Sequence, residues 1–200
     1  MNQPLLIKPR IRGFVCLTAH PVGCAQQVQA QIDYVRSRHD CPQRGGPANV
    51  LVIGSSTGYG LASRITAAFG YGANTLGVYY ERPNAEDKPG SAGFYNTLAF
   101  EQKARDAGLY AGGLNTDAFS HEAKKSVIQK LRHHMGPIDL LVYSLASPRR
   151  TDPDTGLVYQ STLKPIGSLF RSKTFNTDKA EVTEVEIEPA TPPQVEETVA

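Results

Sequence analysis

The chain has 200 residues, of which 40% are hydrophobic and 20% charged, with a formal net charge of +2. That length allows one α/β domain with a sizeable core, or one domain and the start of another, and the balance is that of an ordinary soluble protein. No apolar run approaches the roughly eighteen residues of a membrane helix, and the N-terminal MNQPLLIKPRIRGFVC lacks the continuous apolar stretch of a signal peptide, so a cytoplasmic setting is expected.

Residues 5–16 mix apolar and basic positions and predict a short strand or extended arm. Cys16, His20 and Cys24 then stand four residues apart, with His39 and Cys41 further on. Pro21 and Gly23 are expected to break any helix that would align them, and no C-x-x-C pair completes a tetrahedral site, so no metal is expected. Three cysteines, an odd number, suit a reducing compartment. Val28, Ile32 and Val35 have helical spacing after the Pro/Gly turn.

RGGPAN reads as a loop, and NVLVIG as a strand buried on both faces. GLASRITAAFG predicts a helix ended by Gly70 or Gly72, and TLGVYYE a second strand. A loop rich in Pro and Gly leads to a helix near FYNTLAFEQKARDAG, a third strand in LYAGGLNTD, a helix from Ser120 through His134 and a fourth strand in IDLLVYSLA. Strand and helix in alternation predict an α/β fold, a parallel sheet covered on both sides. Ser120 is the expected N-cap of the last helix.

After Pro148 the character changes. DPDTGLVYQSTLKPIG predicts a hairpin around Asp154-Thr155-Gly156, Phe170 to Glu188 an exposed strand, and EPATPPQVEETVA a helix capped by Thr191 with Pro192 first. Residues 181–200 hold six Glu and no Lys, Arg or Asp, leaving +8 on residues 1–180. A mildly basic body suits a phosphate-bearing ligand or an acidic carrier protein. The basic residues are scattered without aromatic interleaving, so no nucleic-acid partner is expected. Nothing demands an obligate interface, and a monomer is expected.

The chemistry concentrates at four strand ends. Gly54, Gly58 and Gly60 stand as G-x3-G-x-G between a predicted strand and a predicted helix. Such a turn lets backbone N–H groups approach a pyrophosphate at a helix N-terminus, against the plainer reading of a tight turn. Glu81, twenty-one residues past Gly60, can accept hydrogen bonds from the adenosine ribose hydroxyls, which selects NADH over NADPH. Arg82 beside it can instead receive a 2′-phosphate or stand as a solvated charge. Tyr80 is either an adenosine-pocket wall or a half-buried core residue. Asp117, with Ala118, is a candidate for the adenine amino group or a helix-capping acid. Within Tyr143 to Ser147, small residues let backbone come close to a cofactor. Arg149 and Arg150 read as a solvated pair or a phosphate contact, and His133 and His134 sit at a helix C-terminus without an assigned role.

KPRIRGFVCLTAHPVGC, VLVIGSSTGYGLASRITAAFG, LGVYYERP and DLLVYSLASPRRTDPDTG together resemble the FabV-type enoyl-acyl-carrier-protein reductases and the related trans-2-enoyl-CoA reductases, from about Leu6 to the last residue. The resemblance implies a Rossmann-like doubly wound parallel sheet of the short-chain dehydrogenase/reductase type, truncated here. It divides the chain into an NAD(H)-binding domain with an N-terminal arm over 1–148 and, over 149–200, a hairpin and the start of a substrate and catalytic part. It places NADH contacts on Gly54, Ser55, Ser56, Thr57, Gly58, Tyr59, Gly60, Tyr80, Glu81, Asp117, Ala118, Leu145 and Ala146. The implied reaction reduces the 2,3 double bond of an enoyl thioester, carried by acyl-carrier protein or coenzyme A, in fatty-acid synthesis or fermentation. The family's catalytic pair, Tyr and Lys with eight residues between them, is expected beyond residue 200. Tyr79 and Lys88 match that spacing beside the adenosine site, the wrong end of the cofactor, and Tyr159 and Lys164 are too close together. A nucleotide-binding module or gene fragment without catalysis is the alternative.

Overall fold

The computed structural model describes residues 8–12, 15–38, 42, 45–85 and 88–199, and the chain folds as two compact units, Met1–Ala146 and Ser147–Ala200.

The first unit opens with β1 (Ile11–Arg12) and β2 (Val15–Cys16), a two-residue antiparallel pair. Helix α1 runs over Pro21–Arg38. Pro21 and Gly23, expected to break a helix here, instead lie within its first turn. Proline is tolerated there because its missing N–H would have had no intrahelical partner, and His20 Nδ1 accepts the Gly23 N–H at 3.1 Å, capping the turn. His39 and Cys41 lie outside the described residues. Among the described residues, no group of three metal-ligating side chains comes together.

The sheet is built from β3 (Asn49–Ile53), β4 (Asn74–Tyr79), β5 (Ala111–Asn115) and β6 (Leu140–Tyr143), all parallel, in the order β5-β4-β3-β6. Between them run α2 (Gly58–Ile65), continued by a π-helical turn over Thr66–Gly70, then α3 (Ala92–Asp106) and α4 (His121–His134). The predicted alternation is therefore observed. The strand order explains the continuous apolar runs: β3 and β4 are covered on both faces.

One face packs Val28 and Ile32 of α1 with Leu61, Ile65, Phe69, Phe100 and Ala111, Phe69 meeting Phe100 edge to face at 6.0 Å. The other packs Leu51, Leu76 and Val78 with Val127 of α4. Ser120 caps α4 by accepting the Ala123 N–H at 3.1 Å. At the outer strand, β6, Leu140, Leu141 and Tyr143 remain exposed.

The second unit holds the predicted hairpin, β7 (Arg149–Thr151) with β8 (Val158–Gln160). The stretch read as one exposed strand is two, β9 (Phe170–Asn176) and β10 (Glu181–Ile187), paired antiparallel over seven residues. The intervening Asn176 accepts N–H groups from Asp178 and Lys179, which closes the turn. Helix α5 (Pro192–Val199) starts as expected, with Gln194 Oε1 accepting the Thr191 N–H at 3.1 Å.

Candidate cofactor site

The chain leaves β3, visits β4 and β5 on one side, and returns to β6 on the other. The sheet thus reverses its winding between β3 and β6, the place where open α/β sheets form a crevice beyond the strand ends. Gly54 lies there. Its φ is +85°, and an added Cβ would stand 2.1 Å from the Ser144 carbonyl oxygen and 3.2 Å from Leu145, so no larger residue fits. A Cβ on Gly60 would meet the Gly54 oxygen at 1.9 Å, so the first turn of α2 is pressed against the loop it leaves. The loop is fixed by Gly54 and Ser55 N–H groups donating to the Val78 carbonyl at 2.8 and 3.0 Å, and Ser55 Oγ is buried there.

Thr57 occupies the N-cap of α2 with extended backbone but makes no side-chain cap bond. Gly58 has φ +53° and open space around it, and Tyr59 is 88% exposed. The backbone N–H groups of this first turn thus have no side-chain cap from Thr57, at the positive end of the helix, an arrangement that suits an anion.

Glu81 follows β4 and is the most constrained residue of the site. Its backbone is held from the end of β5, where Asn115 accepts its N–H and donates to its carbonyl, both at 2.8 Å. Its carboxylate accepts from Ser56 Oγ at 2.6 Å and, on the other oxygen, from Ser91 Oγ. Asn96 Nδ2 donates to the Ser56 carbonyl at 3.2 Å, tying α3 to the same loop. A carboxylate accepts about four hydrogen bonds, so two positions remain for a vicinal diol.

Tyr80 is 81% exposed beside it. Asp117 builds a turn, its Oδ1 accepting the Phe119 N–H at 2.9 Å, while Ser120 and not Asp117 caps α4. Ala118 packs partly against the α4-side core. Leu145 and Ala146 follow β6, Leu145 half-buried and Ala146 exposed. The thirteen residues singled out from the sequence thus lie beyond the carboxyl ends of the four strands or in the first turn of α2.

Tyr79 is half-buried, its hydroxyl pushed up in pKa first by burial and then by Glu101, and Lys88 pairs with Ala85 in a bridge. In the second unit Lys164 Nζ donates to Gln194 at 3.2 Å and Arg150 stacks over Tyr159 at 5.4 Å.

A second polar cluster, unforeseen from the sequence, underlies the site. Arg64 of α2 is fully buried, donating from Nε to Thr75 Oγ1 at 3.2 Å and from the guanidinium to the Gly112 carbonyl, with Glu101 Oε1 at 3.5 Å and the Phe100 ring centroid at 4.5 Å. Burial lowers its pKa to about 10 and pushes the Glu101 carboxyl up, in each case against the attraction between them. A Cβ on Gly77 would stand 2.5 Å from the guanidinium, and one on Gly113 2.3 Å from Glu101. These two glycines are register partners on β4 and β5. A glycine inside a strand marks close approach, and that signal was available at both positions.

Residues 6–86 match the NAD(P)H-binding domain of trans-2-enoyl-CoA reductase and residues 88–200 its catalytic region. The chain belongs to the trans-2-enoyl-CoA reductase family. Among curated relatives in this family, the enoyl-[acyl-carrier-protein] reductase [NADH] of Pseudoalteromonas atlantica is 55% identical over 195 residues, covering 98% of this chain and 49% of that protein. That of Pseudomonas paraeruginosa is 55% identical over 196 residues, with the same coverage. The structure of Treponema denticola trans-2-enoyl-CoA reductase in complex with NAD superposes with a TM-score of 0.90 at 48% identity, over 98% of this chain and 50% of that one. The Clostridium acetobutulicum trans-2-enoyl-CoA reductase in complex with NADH gives 0.86 at 39% identity, over 97% and 48%. The chain spans about half the length of the relatives it matches. The two family segments meet in the loop between β4 and α3, within one continuous sheet.

Proposed function

We propose that this chain is the NADH-binding half of an enoyl-thioester reductase, with 1–148 as the nucleotide domain and 149–200 as the start of the substrate and catalytic part. The observation that carries the reading is the anchored Glu81 carboxylate beside the uncapped N-terminus of α2. The residues fit the cofactor: Gly54 and Gly60 allow the close backbone contacts of the loop, Ser55 to Tyr59 present backbone to the pyrophosphate, and Glu81 with Tyr80 faces the adenosine. Asp117 and Ala118 flank the adenine, and Leu145 and Ala146 extend the crevice along β6. Bound there, the cofactor supplies a hydride for the 2,3 double bond of an enoyl thioester on acyl-carrier protein or coenzyme A. The chain's own part is to hold and orient the dinucleotide and, through Glu81, to disfavour a 2′-phosphate. The setting is cytoplasmic, in fatty-acid synthesis, and the chain is a monomer. The reactions named for the relatives support this reading.

A second reading, a nucleotide-binding module without catalysis, is favoured for the 200 residues themselves by the separate engagement of Tyr159 and Lys164. Titration with NADH and NADPH, followed by nicotinamide fluorescence, tests both. Saturable binding that prefers NADH, with the preference lost in Glu81→Ala, is expected. No binding at millimolar NADH would overturn the assignment of the site, and turnover of an enoyl thioester by this chain would overturn the second reading.

A further inference from the structure

Ser91 stands at the N-cap of α3, where a serine ordinarily accepts an N–H from the helix's first turn. Here its side chain makes no cap bond. Its Oγ accepts the Arg82 N–H at 3.1 Å and reaches both Glu81 Oε2 and, at 3.3 Å, the Arg82 carbonyl. A hydroxyl has one proton, and the shorter contact, to the charged oxygen, takes it. The serine is thereby withdrawn from capping and spent on the Glu81–Arg82 turn.

Gly93, the second residue of the same helix, completes the seat. A Cβ there would stand 2.0 Å from Glu81 Oε1 and 2.8 Å from Ser56 Cβ. The carboxylate therefore occupies the volume that any other residue at 93 would fill, against the positive end of α3. With Ser56 on one oxygen and Ser91 on the other, the carboxylate is held at both ends before any ligand arrives.

We propose that Ser91 and Gly93 are positioning residues that set the preference for NADH over NADPH by holding Glu81 in place. The inference rests on the reading that Glu81 meets the adenosine ribose. A held carboxylate cannot turn aside for a 2′-phosphate, so the two anions collide. Without Ser91, Glu81 gains freedom to rotate away from the extra phosphate.

The experiment is a titration of the whole chain and its Ser91→Ala, Ser91→Thr and Gly93→Ala variants with NADH and NADPH by nicotinamide fluorescence, each with its melting temperature. In Ser91→Ala the NADPH-to-NADH ratio of dissociation constants should fall about tenfold, the worth of one hydrogen bond to a charged group. Ser91→Thr should restore it, and Gly93→Ala should lower it without removing any donor. Added to Glu81→Ala, Ser91→Ala should change the ratio no further. A lowered melting temperature with an unmoved ratio would mean a merely structural serine and overturn the inference while leaving the site. Loss of both nucleotides alike in Ser91→Ala would also overturn it. Failure of the unchanged chain to bind NADH would instead overturn the reading of the site, and the inference with it.

Discussion

The sheet of the first unit and the β9–β10 hairpin of the second are both fully laddered, yet burial separates them. β3 and β4 pair over five residues, and their central positions are almost all buried. β9 and β10 pair over seven, and none of their residues is buried. Phe175 and Val182 are opposite one another in that ladder, both more than half exposed. The lesson is that backbone pairing locates strands but does not by itself anchor them, because each such hydrogen bond replaces one to water. In the first unit the anchoring comes from apolar area, packed around one buried charge cluster that is costly to leave half-paired.

That contrast can be broken most severely at Arg64. Arg64→Met leaves Glu101 with its partner gone, and breaking a buried pair this way costs about 3–5 kcal/mol. Denaturant unfolding of the variant should show the loss, and Arg64→Met combined with Glu101→Leu should recover most of it. A single variant as stable as the parent would show the cluster to be irrelevant to the sheet.

A subtler probe is pH. Burial holds the Glu101 carboxyl above its ordinary value of 4.5. In the window above that value the folded chain keeps a proton that the unfolded chain has released, so this group's contribution to stability is larger on the acid side. That contribution declines as pH rises through the window. Unfolding free energies measured across it should fall more steeply in the parent than in Glu101→Gln, and parallel profiles would contradict the burial assigned to Glu101.

The smallest effect is expected on the hairpin. Val182→Thr keeps the β-branched shape at an exposed position and should change stability by no more than about 0.5 kcal/mol. A clearly larger loss would mean that the hairpin's outer face is covered by something, and the comparison would have to be redrawn.

Much of this was legible from the sequence. NVLVIG and TLGVYY are apolar without alternation, as expected of strands buried on both faces, and G-x3-G-x-G marked the loop at the point where the sheet reverses its winding. Glu81 was legible as a strand-end carboxylate. Its restraints were not: Ser56, Ser91 and Asn115 lie 25, 10 and 34 residues away from it, and periodicity carries no information about such pairings. Helix α1 was misjudged at its start because Pro21 was weighed as a breaker, when the His20 cap makes that position the helix's first turn. Arg64 was passed over inside an otherwise apolar helical run. Its traces were glycines inside strands without a turn to justify them, Gly77 on β4 and Gly112 and Gly113 on β5.

Gly77, Gly113 and the two charged residues they face form one interdependent set. Gly77 makes room for Arg64, Gly113 for Glu101, and the glycines sit side by side across β4 and β5. None of the four can drift alone: a side chain gained on either strand strikes a charge, and a charge lost leaves a void over bare backbone. A descendant that abandons the arginine would have to abandon its partner and refill both strands, so the route between the two arrangements runs through intermediates that fold poorly.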